Sequence, residues 1–243
     1  MKIIRQIEVY APDYLGVMDV LIAGDKIIAL EEALTGGYAE LEVEEISGSG
    51  KVLTPGFIDC HFHLLGGGGE GGFQNRTPEV TLSQLTTAGV TTVVGCLGTD
   101  GEGRDMTALI SKGKGLEAEG ISTYVYEGSY RLPLKTVTDS IIKDFLTIDK
   151  IIGIGEIAVS DHRSSQPTFE EFSRATADAR VGGMLSGKAG IVNVHLGGGK
   201  RKLELLTRVV EETEIPITQF LPTHANRTPE LLTACIEFAK KGG

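Results

Sequence analysis

The chain has 243 residues, and 33 Asp and Glu against 23 Lys and Arg give a formal net charge of -10 at pH 7, which argues against nucleic-acid binding, since phosphate contacts need a basic footprint. A hydrophobic fraction of 41% with 23% charged residues excludes disorder and supports a sizeable core in one or two domains. No apolar run approaches the roughly 20 residues of a membrane span, and Glu8 and Asp13 come too early for a signal peptide. The expectation is a cytoplasmic protein without a membrane partner. Cys60, Cys96 and Cys235 stand at unrelated spacings, which predicts buried thiols rather than a disulfide framework or a CxxC metal site.

Residues 1–54 hold short strand-like pieces, Ile3 to Tyr10, Gly16 to Ala23, Lys26 to Leu30 and Leu41 to Glu45, separated by turn residues. This is a small β domain. Its ten acidic and four basic residues predict a solvated acidic face. From Lys51 onward, apolar runs alternate with segments of helical period, the pattern of βα units around a parallel sheet. The runs are Val52 to Cys60, Val90 to Leu97, Ile121 to Tyr126, Ile151 to Ser160, Gly190 to Leu196 and Ile217 to Thr223. Helices are predicted over Glu79 to Ala88, Thr107 to Glu119, Asp139 to Ile148, Phe169 to Leu185, Lys202 to Glu212 and Pro229 to Lys240. The pentapeptide Asn-Arg-Thr-Pro-Glu occurs at 75–79 and again at 226–230. Threonine as N-cap and proline as first helical residue would make both copies helix starts.

An eight-unit (β/α)8 barrel takes about 250 residues, and residues 55–243 suffice for about six units. The fold expected is therefore α/β, a TIM-type barrel of about six βα units over 55–243 behind the β domain of 1–54. A doubly wound Rossmann-like sheet of six parallel strands is the alternative. The histidines decide between them. His61 and His63 lie two apart at a strand end, so the strand period puts both rings on one face, where they can grip one ion. His195 and His224 also end predicted strands, and C-terminal strand ends are where barrel active sites assemble. Glu156 lies inside an apolar run, where an isolated carboxylate would be costly. It either pairs with a basic side chain such as Arg163 or bridges two metal ions among the histidines.

The run Pro55-Gly56-Phe57-Ile58-Asp59-x-His61-x-His63 after a short β unit, with later ligands at His195 and His224, resembles the amidohydrolase superfamily. Five further segments narrow the resemblance to its isoaspartyl dipeptidases: 66–70 (GGGGE), 76–80 (RTPEV), 97–100 (LGTD), 160–164 (SDHRS) and 222–227 (PTHANR). The resemblance implies hydrolysis of β-aspartyl dipeptides by two divalent ions, zinc above all, with a bridging hydroxide. His61 and His63 would bind one ion, His195 and His224 the other, and Glu156 would stand where many members carry a carbamylated lysine. Tyr130 would polarise the scissile carbonyl. Arg163 and Arg227 would hold substrate carboxylates, Glu70 the α-amino group, and Thr99 would add a polar contact. His162 is left a structural role. A homo-oligomer and a small dipeptide substrate are likewise implied.

The family also takes a metal-bound aspartate from an eighth strand as general base, and no residue of 1–243 is assigned to it. On that ground the chain alone is expected to be a poor catalyst. The alternatives are a cyclic-amide hydrolase of the dihydroorotase or hydantoinase kind, which would not require Glu70 with both arginines, and a catalytically incomplete metal-binding piece.

Overall fold

In the strand β1 (Lys2–Tyr10), Ile3 packs with Leu21 and Leu34 while Ile7 and Val9 pack with Val20 in a separate cluster, the two sets divided by a register shift between Ile4 and Ile7. The computed structural model describes residues 1–35 and 42–243, which fall into two compact units, Met1–Phe57 and Ile58–Gly243. In the first, β1 pairs antiparallel with β2 (Tyr14–Ala23), and β2 pairs antiparallel with β3 (Lys26–Glu31). On its other side β1 pairs in parallel with β4 (Glu44–Ser47) and β5 (Val52–Leu53). The expected strand over 41–45 begins outside the described residues. Asp19 departs from the expected solvated acidic face: it is buried and accepts from Arg5 Nη1 at 2.8 Å and from the backbone N–H groups of Gln6 and Leu34. Its charge is thereby compensated.

The second unit repeats strand then helix six times: β6 (Phe57–Phe62), α1 (Leu82–Thr87), β7 (Val90–Gly95), α2 (Met106–Ala118), β8 (Ser122–Glu127), α3 (Ile141–Thr147), β9 (Ile151–Val159), α4 (Phe169–Ser186), β10 (Ile191–Leu196), α5 (Glu204–Glu212), β11 (Phe220–Thr223) and α6 (Pro229–Lys240). The sheet order is β11-β10-β9-β8-β7-β6, and the registered pairs from β7 to β11 are parallel. Strands that neighbour one another in strict chain order have no switch point, which separates this barrel-type arc from a doubly wound sheet. The central strands read as unbroken apolar runs because both faces are covered. Val93, Val125, Ile154, Ile157, Val192 and Val194 pack with Leu109, Phe145, Phe172 and Leu206 of the helices in one core. No described helix is long and apolar enough to cross a membrane.

Two expectations are corrected here. The run from Val52 to Cys60 forms two strands, because Pro55 has no N–H to continue a ladder and Pro55-Gly56 break the run. Of the two Asn-Arg-Thr-Pro-Glu copies, only the second starts a helix. Thr228 accepts from Leu231 N and Pro229 is the first helical residue. In the first copy the Thr77 hydroxyl accepts from Gly67 N at 2.7 Å, so that threonine is committed to the preceding loop. The helix waits for Thr81, which caps it with Gln84.

Candidate active site

His61 in β6 and His63 just after it turn their rings to one carboxylate. His61 Nε2 lies 3.2 Å from Glu156 Oε2, and His63 Nε2 lies 3.4 Å from Oε1. Glu156, fully buried within β9, also meets His195 Nδ1 at 3.0 Å and His224 Nε2 at 3.5 Å. His195 belongs to β10, and His224 follows β11 with a backbone φ of 63°, a region where a non-glycine residue is uncommon. The five side chains come from β6, β9, β10 and β11; the last three are neighbours in parallel register, and β6 lies beyond β7 and β8 in the sheet order, so the side chains gather from both ends of the arc.

The ligand-capable atoms form two groups that share Glu156, one with His61, His63 and Cys96, the other with His195 and His224. Within each, the atoms lie within 4.8 Å of one another. Both ring nitrogens of His61 and Oε1 of Glu156 are buried without a hydrogen-bond partner. Orphaned polar atoms of this kind are costly in a protein interior, and imidazole nitrogens grouped around a carboxylate are a donor set suited to divalent metal ions. The residues fit such ions. Burial would raise the Glu156 carboxyl, but the imidazoles of His195, His224 and His61 around it outweigh that and hold the group far below the usual range.

The opposite edge of the His195 ring faces Asp161. Its Oδ2 is 3.2 Å from His195 Nε2, and the same carboxylate grips Arg163 twice, Nε to Oδ1 at 2.9 Å and Nη2 to Oδ2 at 2.9 Å. A carboxylate on the far nitrogen orients a metal-binding histidine and leaves Nδ1 for the ion. Arg163 therefore pairs with Asp161, not with Glu156 as one reading of the sequence allowed. Its Nη1 goes to Glu70 Oε1 at 2.7 Å, an oxygen that also accepts from Thr99 at 2.8 Å. Those bonds, the one from Thr99 foremost, lower the Glu70 carboxyl. Arg227 Nη2 lies 3.0 Å from His195 Nε2.

Tyr130 places its hydroxyl 2.8 Å from His195 Nδ1, with the Arg163 guanidinium over its ring at 5.2 Å. Burial first, and the nearby Glu156 charge second, push its phenol above the ordinary value, so it keeps its proton as a donor. All ten residues singled out in the sequence thus fall into one contiguous site. His162, in contrast, is exposed. Cys60 is exposed as well, while Cys96 is buried and Cys235 is intermediate. The expectation of three buried thiols fails at Cys60 because β6 is the last strand in the sheet order. Sequence reasoning gave no role to Asp161 or Cys96. The signal for Asp161 was its spacing two before Arg163 after a strand, the same spacing that singled out His61 and His63.

The chain as a whole has structural counterparts. The chain is 53% identical to the β-aspartyl dipeptidase of the thermophilic, keratin-degrading Fervidobacterium islandicum AW-1. The structure of that enzyme in complex with β-Asp-Leu dipeptide superposes on all of this chain at a TM-score of 0.93, and the match spans 64% of the enzyme's chain. A second structure of the same enzyme gives a TM-score of 0.95 over 66% of its chain. The chain belongs to the amidohydrolase superfamily. Among curated proteins, this amidohydrolase is 30% identical over 127 residues to the imidazolonepropionase of Ectopseudomonas mendocina (strain ymp), a match covering 51% of this chain and 31% of that one. It therefore spans about a third of the length of the curated relatives it matches, and less than two thirds of the dipeptidase. Likeness to the D-hydantoinase of a Bacillus sp. AR9, at 18% identity and a TM-score of 0.61 over all of this chain and 56% of that one, is likeness of fold. No family model matches the chain.

Proposed function

We propose that this amidohydrolase hydrolyses β-aspartyl dipeptides with two divalent ions, zinc by the nature of the donor set. His61 and His63 would hold one ion and His195 and His224 the other, with Glu156 shared between them. When bound, the ions supply an activated water and polarise the scissile carbonyl. The chain's own residues do the rest. Tyr130 donates from a phenol held in its protonated form, at the His195 end of the cluster. Asp161 fixes both the His195 ring and the Arg163 guanidinium, so the group that binds charge and the group that binds metal share one support.

The observation that carries the reading is the Glu70–Arg163 pair beside the cluster. A β-linked aspartyl residue carries its free α-ammonium and free α-carboxylate on one carbon, side by side. Glu70 and Arg163, in contact at 2.7 Å, present the complementary charges side by side. Glu70 would receive the ammonium, helped by Thr99, and Arg163 and Arg227 the carboxylates, for which a guanidinium fork is suited. An α-linked isomer separates those two charges and leaves one partner unmatched. A homo-oligomer working in the cytoplasm belongs to the same proposal, the assembly on the strength of the family resemblance and the location on that of the sequence.

The test is kcat/KM for β-Asp-Leu against α-Asp-Leu with the full-length, zinc-loaded protein. Unpaired charges in a partly closed site are penalised by roughly 10²-fold or more, so a preference for the β-linkage of at least that size is expected. Equal rates, or faster turnover of dihydroorotate, would overturn the proposal in favour of a cyclic-amide hydrolase.

A further inference from the structure

The loop between β6 and α1 carries His63 at one end and Glu70 seven residues later, with glycine at four of the six intervening positions. Such a run has little conformational preference of its own. Something must hold it if Glu70 is to stand against Thr99 and Arg163. Part of the hold is internal. Gly67 N–H donates to Thr77 Oγ1, Thr77 N–H donates to Gly67 O at 3.0 Å, and Gly68 bridges to Arg76.

The larger part comes from another loop. Arg104, only 9% exposed, reaches in from the segment between β7 and α2. Its Nε donates to Leu65 O at 3.0 Å, Nη2 to Gly67 O at 3.2 Å and to Thr77 O at 3.4 Å, and Nη1 to Gly68 O at 3.4 Å. One planar fork thus serves four main-chain carbonyls on both strands of the loop. Asp100 partners the charge, 3.7 Å from Arg104 Nη1 and 2.8 Å from Arg76 Nη1. Its other oxygen accepts from Gly103 N–H at 2.7 Å. Asp100 also adjoins Thr99, the residue that donates to Glu70. Of the two contacts that define the position of the Glu70 carboxylate, the one from Thr99 therefore traces back to the segment that carries Asp100 and Arg104, while the other comes from Arg163 after β9.

We infer that Arg104 is a positioning residue for substrate recognition: it clamps the glycine loop so that Glu70 is preset to receive the substrate's α-ammonium. The inference rests on the function proposed above. A preset acceptor avoids the ordering cost of a free loop on binding, and only the guanidinium fork can satisfy several diverging carbonyls together; an ammonium is a compact point charge on a flexible stem.

The test compares the wild type with Arg104→Lys, Glu70→Gln and the double variant, on β-Asp-Leu and on succinyl-leucine, which lacks only the α-amino group. Losing charge-assisted bonds of this kind costs on the order of tenfold to a hundredfold. Arg104→Lys should lose about that factor on β-Asp-Leu, mainly in KM, and much less on succinyl-leucine, and the double variant should be little worse than Glu70→Gln alone. Equal losses on both substrates with additive effects in the double variant would overturn the inference, because they describe a general structural defect. Amide exchange supplies a readout independent of turnover. Residues 66–75 should exchange faster in Arg104→Lys while β8 and β9 keep wild-type protection, and unchanged exchange in the loop would also overturn it. If lysine unfolds the protein, Asp100→Asn provides the same comparison in a milder form. A wild type that fails to cleave β-Asp-Leu counts against the proposed function, and the exchange measurement still decides the role of Arg104.

Discussion

The Asp161 carboxylate lies 3.2 Å from His195 Nε2, on the opposite side of the ring from the contact between His195 Nδ1 and Glu156. Through the same two oxygens it fixes Arg163. One side chain therefore supports a metal-ligand candidate and a substrate-binding candidate. Asp161→Asn is expected to weaken divalent-ion affinity by about 10- to 100-fold, the usual effect of losing a carboxylate behind a ligating histidine. It should also raise KM for β-Asp-Leu by freeing Arg163. Competition with a chromogenic chelator measures the first, and unchanged ion affinity would show that His195 needs no such support.

Among the described residues, Glu156 is the carboxylate common to both ligand groups. Zinc content of protein purified without chelator should approach two ions per chain, and Glu156→Gln should lose both, because a neutral amide cannot supply the shared anionic charge. Reloading of stripped protein should be independent of bicarbonate. A strong bicarbonate requirement would point instead to a carbamylated lysine, and retention of both ions by Glu156→Gln would remove the carboxylate from its shared role.

What the sequence disclosed and what it hid follow from how local each signal is. The strands of the second unit were legible because burial on both faces leaves runs such as Ile151 to Val159 almost wholly apolar. The ligand cluster was legible because four histidines stand at or just after strand ends and Glu156 interrupts an apolar strand. The two copies of Asn-Arg-Thr-Pro-Glu show the limit. They are identical locally, yet Thr77 is bound by Gly67, ten residues back, and Thr228 caps its own helix. Asp161 and Arg104 were hidden for the same reason. Their partners, His195 and the carbonyls of residues 65–77, lie 27 to 39 positions away, and only folding brings them together.

Glu127 and Asp144 form a second buried acid pair, at the end of β8 and within α3, both without solvent exposure. Neither Glu127 oxygen meets a donor. Burial first, and the adjacent Asp144 second, push the Glu127 carboxyl up to about 10. Asp144 stays below its ordinary value, since hydrogen bonds from Glu127, Thr138 and the Val137 backbone outweigh its burial. The proton therefore sits on Glu127 at neutral pH. A carboxyl raised in the folded state stabilises the fold below its unfolded value of 4.5, and that contribution is lost as pH rises toward about 10, with a slope of at most about 1.4 kcal/mol per pH unit. Glu127→Gln keeps a donor toward Asp144 without the titration. The gap in Tm between Glu127→Gln and wild type should widen in favour of the variant from pH 5 to pH 9. A constant gap would mean that folded and unfolded Glu127 bind the same number of protons in that window, and that its carboxyl is not raised by folding.

Tyr130 tests the chemistry most directly. Its hydroxyl stands 2.8 Å from His195 Nδ1, and its pKa is raised by burial and by Glu156, so it remains a phenol throughout any working pH. A preorganised donor aimed at developing charge contributes to the transition state more than to the ground state. Tyr130→Phe removes one oxygen from a well-packed ring and leaves the cation–π contact with Arg163 in place. The variant is expected to fold, to bind its ions as the wild type does, and to bind β-Asp-Leu with little change in KM. Its kcat should fall by roughly 10²- to 10³-fold, the loss typical of removing one oxyanion donor. Steady-state kinetics across pH 6 to 9 would check this, with metal content measured on the same sample. A fall in KM affinity with kcat intact would assign Tyr130 to binding, and an unchanged kcat/KM would remove it from the reaction altogether.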